Sequence, residues 1–88
     1  MTTSNAVRLI RKPEVLDRLN ISKSTFYERL NKGLLPPAIP LGERAVGWLD
    51  HEITLLISAM ATGYSEADLK GLIKDMVEKR RQELEQLM

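Results

Sequence analysis

The run Ser22-Lys23-Ser24-Thr25-Phe26-Tyr27-Glu28-Arg29-Leu30-Asn31-Lys32 holds the side chains of this 88-residue chain best suited to recognition. If it forms a helix, successive residues turn by about 100°, and Phe26 and Leu30, four apart, mark the inward side. Ser24, Tyr27, Glu28 and Asn31 then point outward, with Lys23, Thr25, Arg29 and Lys32 on the flanks or ends. These groups suit base edges and phosphates. Glu accepts from cytosine N4, Asn pairs bidentately with adenine, and Arg pairs with guanine. Lys23 and Ser24 near a helix N-terminus suit a phosphate, which the helix dipole also attracts. The bland alternative is a polar, solvated helix face, and the neighbouring elements decide between the two.

Arg44 lies in a second candidate position, at the tip of an expected hairpin. An Arg there contacts a phosphate or enters a minor groove, unless it merely pairs with Glu43 in solvent. Trp48 reads as core, because it ends a strand ahead of an apolar helix. His51, the lone histidine, sits beside Asp50 and Glu52, but successive helical side chains diverge, and no cysteine completes a tetrahedral metal site. No Gly-rich phosphate loop, nucleophile elbow or triad is present, so no enzymatic role and no cofactor is expected.

The elements that must position these residues are marked by their punctuation. Pro13 suits a first helical position and Glu14 suits the first turn. Val15, Leu16 and Leu19 share a face, and Asn20 tolerates the left-handed conformation that ends a helix. Ser22 then caps a second helix, Lys23 to Lys32, through the N–H of Thr25, and Gly33 stops it. Two short helices joined by so tight a turn make a helix-turn-helix. Pro36 and Pro37 force an extended path. Ala38 to Leu41 and Ala45 to Trp48 flank Gly42-Glu43-Arg44 as a small β-hairpin, where a winged helix carries its wing. Asp50 can cap a third helix, which runs from Asp50 or His51 to about Ala61, with Leu49, Ile53, Leu56, Ile57 and Met60 on its apolar face and Leu55 and Ala59 widening it. Gly63 ends that helix. Ser65 and Asp68 form a near capping box for a last helix, Glu66 to about Leu87, fronted by Leu69, Leu72, Ile73, Met76 and Val77.

The fold class is therefore mainly α with a small β-hairpin. Residues 1–6 read as a flexible tail, 7–62 as a winged helix-turn-helix domain and 63–88 as a C-terminal helix. The absence of cysteine excludes disulfides and thiolate metal sites. No segment is long and apolar enough to span a bilayer, so no membrane role is expected. Residues 1–48 carry eight Lys/Arg against four acids, and residues 49–88 carry five against eight. A basic first half favours a polyanion.

Residues Arg8 to about Ile57 resemble the AlpA-like family of phage and genomic-island regulators, related to small excisionases and to MerR-type winged helices. The matching residues are Arg11-Lys12-Pro13-Glu14-Val15, Ser22-Lys23-Ser24-Thr25-Phe26-Tyr27, Gly33-Leu34-Leu35-Pro36-Pro37, Pro40 through Trp48, and Glu52-Ile53. The resemblance implies a cytoplasmic, sequence-specific DNA-binding protein that regulates transcription, acts as an excisionase, or does both. It also implies that Thr25, Tyr27 and Arg44 face the DNA. It does not extend to Tyr64–Met88.

The expected partner is double-stranded DNA, with integrase as the protein partner of an excisionase. So small a module gains useful specificity from several copies, so self-association on DNA is expected. The rival reading is a protein-binding antirepressor or adaptor that uses the C-terminal helix. Residues 66–77 are expected to pack back on the third helix. Residues 78–88 are left exposed or engaged with a neighbouring copy, and Arg80 interrupts any coiled-coil seam. Lys79-Arg80-Arg81 offers a second phosphate contact or forms a solvated basic turn.

Overall fold

A computed structural model describes residues 7–88, so the tail expected over 1–6 lies outside the described residues. Seven elements follow in order: β1 (Leu9–Ile10), α1 (Lys12–Leu19), α2 (Lys23–Asn31), β2 (Ile39–Gly42), β3 (Ala45–Leu49), α3 (Asp50–Ala61) and α4 (Glu66–Leu87). The chain is mainly helical, with the expected hairpin enlarged to a three-stranded antiparallel sheet in the order β1-β3-β2. β1 pairs Leu9 with Leu49 and Ile10 with Trp48. Two residues are too few to carry a period-2 pattern, so this strand has no signature of its own. It exists because β3 offers a second edge.

The local signals act as their chemistry requires. Asn20 ends α1 at φ 55, and the Ser22 hydroxyl accepts the N–H of Thr25 at the start of α2. Ser65 and Asp68 close a reciprocal capping box on α4. At the hairpin, Gly42 takes φ +135 and Arg44 takes φ 57, so the wing tip has a left-handed residue that is not glycine. That conformation costs an L-residue roughly 1–2 kcal/mol. Gly47 is needed for a different reason: a Cβ there would come within 2.9 Å of Leu41 Cδ1 and 3.1 Å of the Ile10 carbonyl oxygen.

One core joins all four helices and the sheet. Ile10, Val15, Phe26, Leu34, Leu35, Trp48, Ile53, Leu56 and Ala59 are buried together with Leu69, Ile73 and Met76 of α4. Phe26 and Trp48 meet edge to face, with centroids 5.4 Å apart. Burying an indole requires a partner for its N–H. Trp48 Nε1 donates to the Pro36 carbonyl oxygen at 3.0 Å, which ties the proline-bearing loop to the wing.

The structure corrects several expectations. Asp50 does not cap α3. Leu49 occupies the N-cap position without a side-chain bond, and Asp50 is the first helical residue. Its carboxylate is instead taken by Arg18 of α1. Leu55 does not widen the apolar face of α3 and Val77 does not belong to the buried front of α4: they are 48% and 41% exposed. Arg80 is neither a phosphate contact nor part of a solvated turn. Its guanidinium donates twice to the buried Glu52 carboxylate, through Nε at 2.9 Å and Nη2 at 2.6 Å, and Nη2 also reaches the Pro37 carbonyl oxygen at 3.1 Å. A chain ended after Val77 would leave Glu52 buried without its cation.

Candidate nucleic-acid interface

The tight turn between α1 and α2 presents α2 as a ridge. Phe26 anchors it, fully buried, and the half-buried Leu30 lies on the same side. Ser24 and Asn31 are exposed on the opposite crest, and Glu28 is exposed at its edge. Glu28 lies 3.7 Å from Lys32 in an exposed i,i+4 ion pair. At the N-terminal end Lys23 is exposed, and Ser22, Ser24 and Thr25 form a small hydroxyl cluster with oxygen–oxygen distances of 3.0 to 3.3 Å.

The two flanks of α2 face different neighbours. Tyr27, 44% exposed, borders a cleft between α2, the start of α1 and the wing. That cleft is about 320 Å³, floored by Phe26, Leu30, Ala38 and Trp48 and rimmed by Arg11, Lys12 and Arg44. Thr25 and Arg29 lie on the other flank, in a groove shared with Met60, Tyr64 and Glu66 at the α3–α4 corner. Arg29 is partly buried there, its guanidinium 3.6 Å from Met60 Sδ. The nine residues singled out from sequence are thus divided. Lys23, Ser24 and Asn31 occupy the crest and N-terminal end of α2, Tyr27 and Arg44 border the wing cleft, and Thr25, Glu28, Arg29 and Lys32 line the groove at the helical corner, Glu28 and Lys32 from its exposed edge.

Sequence reasoning passed over Lys12 and Arg11 as site residues. Lys12 Nζ donates a hydrogen bond to the Tyr27 hydroxyl and lies 4.9 Å from the ring centroid. The hydrogen bond from Lys12 holds the Tyr27 phenol below its ordinary pKa, opposed by desolvation and helped by the positive charges of Lys12 and Lys23. The contact spans fifteen positions from α1 to α2, so neither residue betrays it alone. The available signals were that Arg11 and Lys12 immediately precede Pro13 and belong to the residues that carry the family resemblance; in the structure Arg11 is the N-cap of α1 and Lys12 its first residue, one position ahead of the expected start at Pro13.

The charged groups facing this side are largely uncommitted. Among the described residues, no ion pair involves Arg11, Lys12, Lys23 or Arg44, whereas Arg8 and Arg18 both pair with Asp50. Among the described residues, no cluster of His, Cys, Asp and Glu is placed to hold a metal ion, and no helix is long and apolar enough to cross a membrane.

Comparison with known proteins adds an independent line. Residues 8–59 match the family described as prophage CP4-57 regulatory protein (AlpA). The chain is 39% identical over 56 residues to the uncharacterized protein ORF88 of Enterobacteria phage P4, a match covering 64% of each chain. It is 32% identical over 59 residues to the DNA-binding transcriptional activator AlpA of Escherichia coli K12, covering 60% of this chain and 84% of that protein. The match therefore spans a little under two thirds of the phage P4 protein. No solved structure matches the chain. The matched segment holds β1 through most of α3, and so both the α2 crest and the wing cleft. It stops short of α4.

Proposed function

The chain belongs to the AlpA family of prophage regulatory proteins, and on that premise we propose that it binds double-stranded DNA in a sequence-specific way to regulate transcription in a phage or integrated element. The observation that carries the proposal is the shared face of α2 and the wing, where Lys23, Ser24, Asn31 and Arg44 are exposed beside Arg11 and Lys12, none of these cations in an ion pair among the described residues. In this reading α2 enters the major groove. Asn31, Glu28 and Ser24 read base edges, and Lys23 and Lys32 meet phosphates at its two ends. Arg44 reaches the flanking backbone or the minor groove. Residues 7–62 carry the contacts and α4 braces them. The E. coli relative, whose name describes a DNA-binding transcriptional activator, supports this assignment.

We further propose that the same contacts serve an excisionase role, with integrase as protein partner and several copies bound side by side. In either role the protein is architectural and performs no chemistry of its own. Selection of a binding site from random duplexes, followed by DNase footprinting on neighbouring promoters and any integrase attachment site, tests both parts. Log affinity should fall with log salt with a slope of about −3 to −5, as expected for a handful of phosphate contacts. Protection of a promoter alone supports the regulator, and protection of phased sites beside an attachment site supports the excisionase. No selected site, with a flat salt dependence, overturns the reading in favour of a protein-binding adaptor.

A further inference from the structure

The cleft between α2 and the wing has a construction that base reading by α2 does not use. Its floor is apolar and its two banks are basic. Arg11 and Lys12 stand on the α1 side and Arg44 on the wing side, with Tyr27 between them and Val46 along the wall. A DNA strand passing from the major groove under α2 to the minor groove under a wing presents the matching profile. It offers apolar deoxyribose faces flanked by phosphates on both sides. We propose that this cleft seats the sugar–phosphate backbone between the two grooves, and that Lys12 and Tyr27 act as one composite phosphate seat. The proposal rests on the DNA-binding reading above and reassigns Tyr27 from base to backbone.

An ammonium has three N–H groups, and Lys12 spends one on the Tyr27 oxygen, leaving two for an anion. That bond occupies a lone pair of the phenol oxygen, so the Tyr27 O–H is directed away from Lys12. The phenol is also made more acidic, hence a stronger donor to an anionic oxygen. The two side chains thus converge on one acceptor with charge and a directed O–H. Phe26, edge to face with Tyr27 at 5.3 Å, fixes the ring from below. Among base edges, the paired O6 and N7 acceptors of guanine best suit such a set of donors, whereas the phosphate of every nucleotide suits it. Arg44, held in a left-handed conformation at the wing tip, carries its charge to the far bank.

The test compares wild type, Lys12→Met, Tyr27→Phe and the double variant on two duplexes, the selected site and a scrambled sequence of equal composition. Each single variant should lose roughly tenfold in affinity on both duplexes, and the double should lose little more than either single. Lys12→Met should also make the salt slope shallower by about one unit. Single methylphosphonate substitutions along the selected duplex should reveal one phosphate whose neutralisation weakens wild type but leaves the double variant unaffected. Both side chains are at the surface, and an unchanged far-UV spectrum checks the fold. If Tyr27→Phe loses affinity on the selected site alone, Tyr27 reads a base and the composite seat is overturned while the DNA-binding reading stands. An unchanged salt slope in Lys12→Met, or methylphosphonate sensitivity identical in wild type and double variant, overturns it equally. If wild type binds neither duplex, the DNA-binding reading itself fails.

Discussion

The first turn of α3 and the face made by α2 and the wing treat charge in opposite ways. At the first turn of α3, Asp50 and Glu52 gather cations from both sides of the molecule: Arg8 and Arg18 on Asp50, and Arg80 of α4 on Glu52. Those charges are consumed in fastening α1 and α4 to α3. On the α2–wing face, Arg11, Lys12, Lys23 and Arg44 have no ion-pair partner among the described residues. A count of charges by halves of the sequence misses this division. Two of the eight cations in residues 1–48 share one acid from the second half, Lys32 pairs with Glu28, Arg29 turns to the α3–α4 corner, and the remaining four gather on the α2–wing face. Net charge along a chain therefore predicts a polyanion-binding face only after the internal pairs are removed.

The largest effect expected from breaking this contrast is at Arg80. Arg80→Ala leaves the Glu52 carboxylate, whose side chain is 3% exposed, without its partner. Removing one member of a buried pair typically costs about 3–5 kcal/mol, a large part of the stability of a domain this size. Urea denaturation should show that loss in the midpoint, and the double variant Glu52→Gln/Arg80→Met should recover much of it. A single Arg80→Ala as stable as wild type would show that α4 is not fastened through this pair.

Changes on the opposite face should spare the fold and alter binding. Asn31→Ala should lower affinity for the selected duplex by about 1–3 kcal/mol with little change on scrambled DNA, as a base contact does. Quantitative gel shifts on both duplexes measure the difference. Arg44→Asn removes the wing charge while keeping a residue that tolerates the left-handed turn. It should leave the thermal midpoint unchanged or slightly raised and make the salt slope shallower by about one unit on any sequence. The smallest effect is spectroscopic. Ultraviolet titration should find Tyr27 ionising at lower pH than an ordinary tyrosine, and Lys12→Met should move that transition upward. Because an ionised phenol loses its donor and gains a negative charge, DNA affinity should decline as pH rises through that transition.

Much of the scaffold was legible because local chemistry announces it. Asn20, Ser22, Gly33, Gly42, Gly63 and the Ser65–Asp68 box lie where the structure needs them, and the Phe26–Leu30 stripe oriented α2 correctly. What escaped was set by contacts between distant residues. Glu52 looked like a polar residue at a helix start, and Arg80 like an interruption in an apolar seam. Each is explained only by the other, 28 positions away. The same holds for Asp50, whose residue type suits a cap but whose carboxylate is claimed by Arg18. In the candidate site, helical periodicity separated crest from floor but could not say that one flank of α2 meets the wing and the other the α3–α4 corner. That division depends on where the loop through Pro36 returns the chain, and it moved Thr25 and Arg29 away from Tyr27.

The central claim is that recognition resides on the α2–wing face and the opposite side of the molecule is structural. Titration of the isotope-labelled protein with its selected duplex, followed by backbone amide chemical shifts, addresses it residue by residue. The account predicts that the large shifts fall on Arg11–Lys12, on Lys23 through Lys32 and on Glu43 through Val46, while Gly71 through Leu87 scarcely move. Shifts concentrated along the exposed side of α4, with α2 and the wing undisturbed, would contradict it.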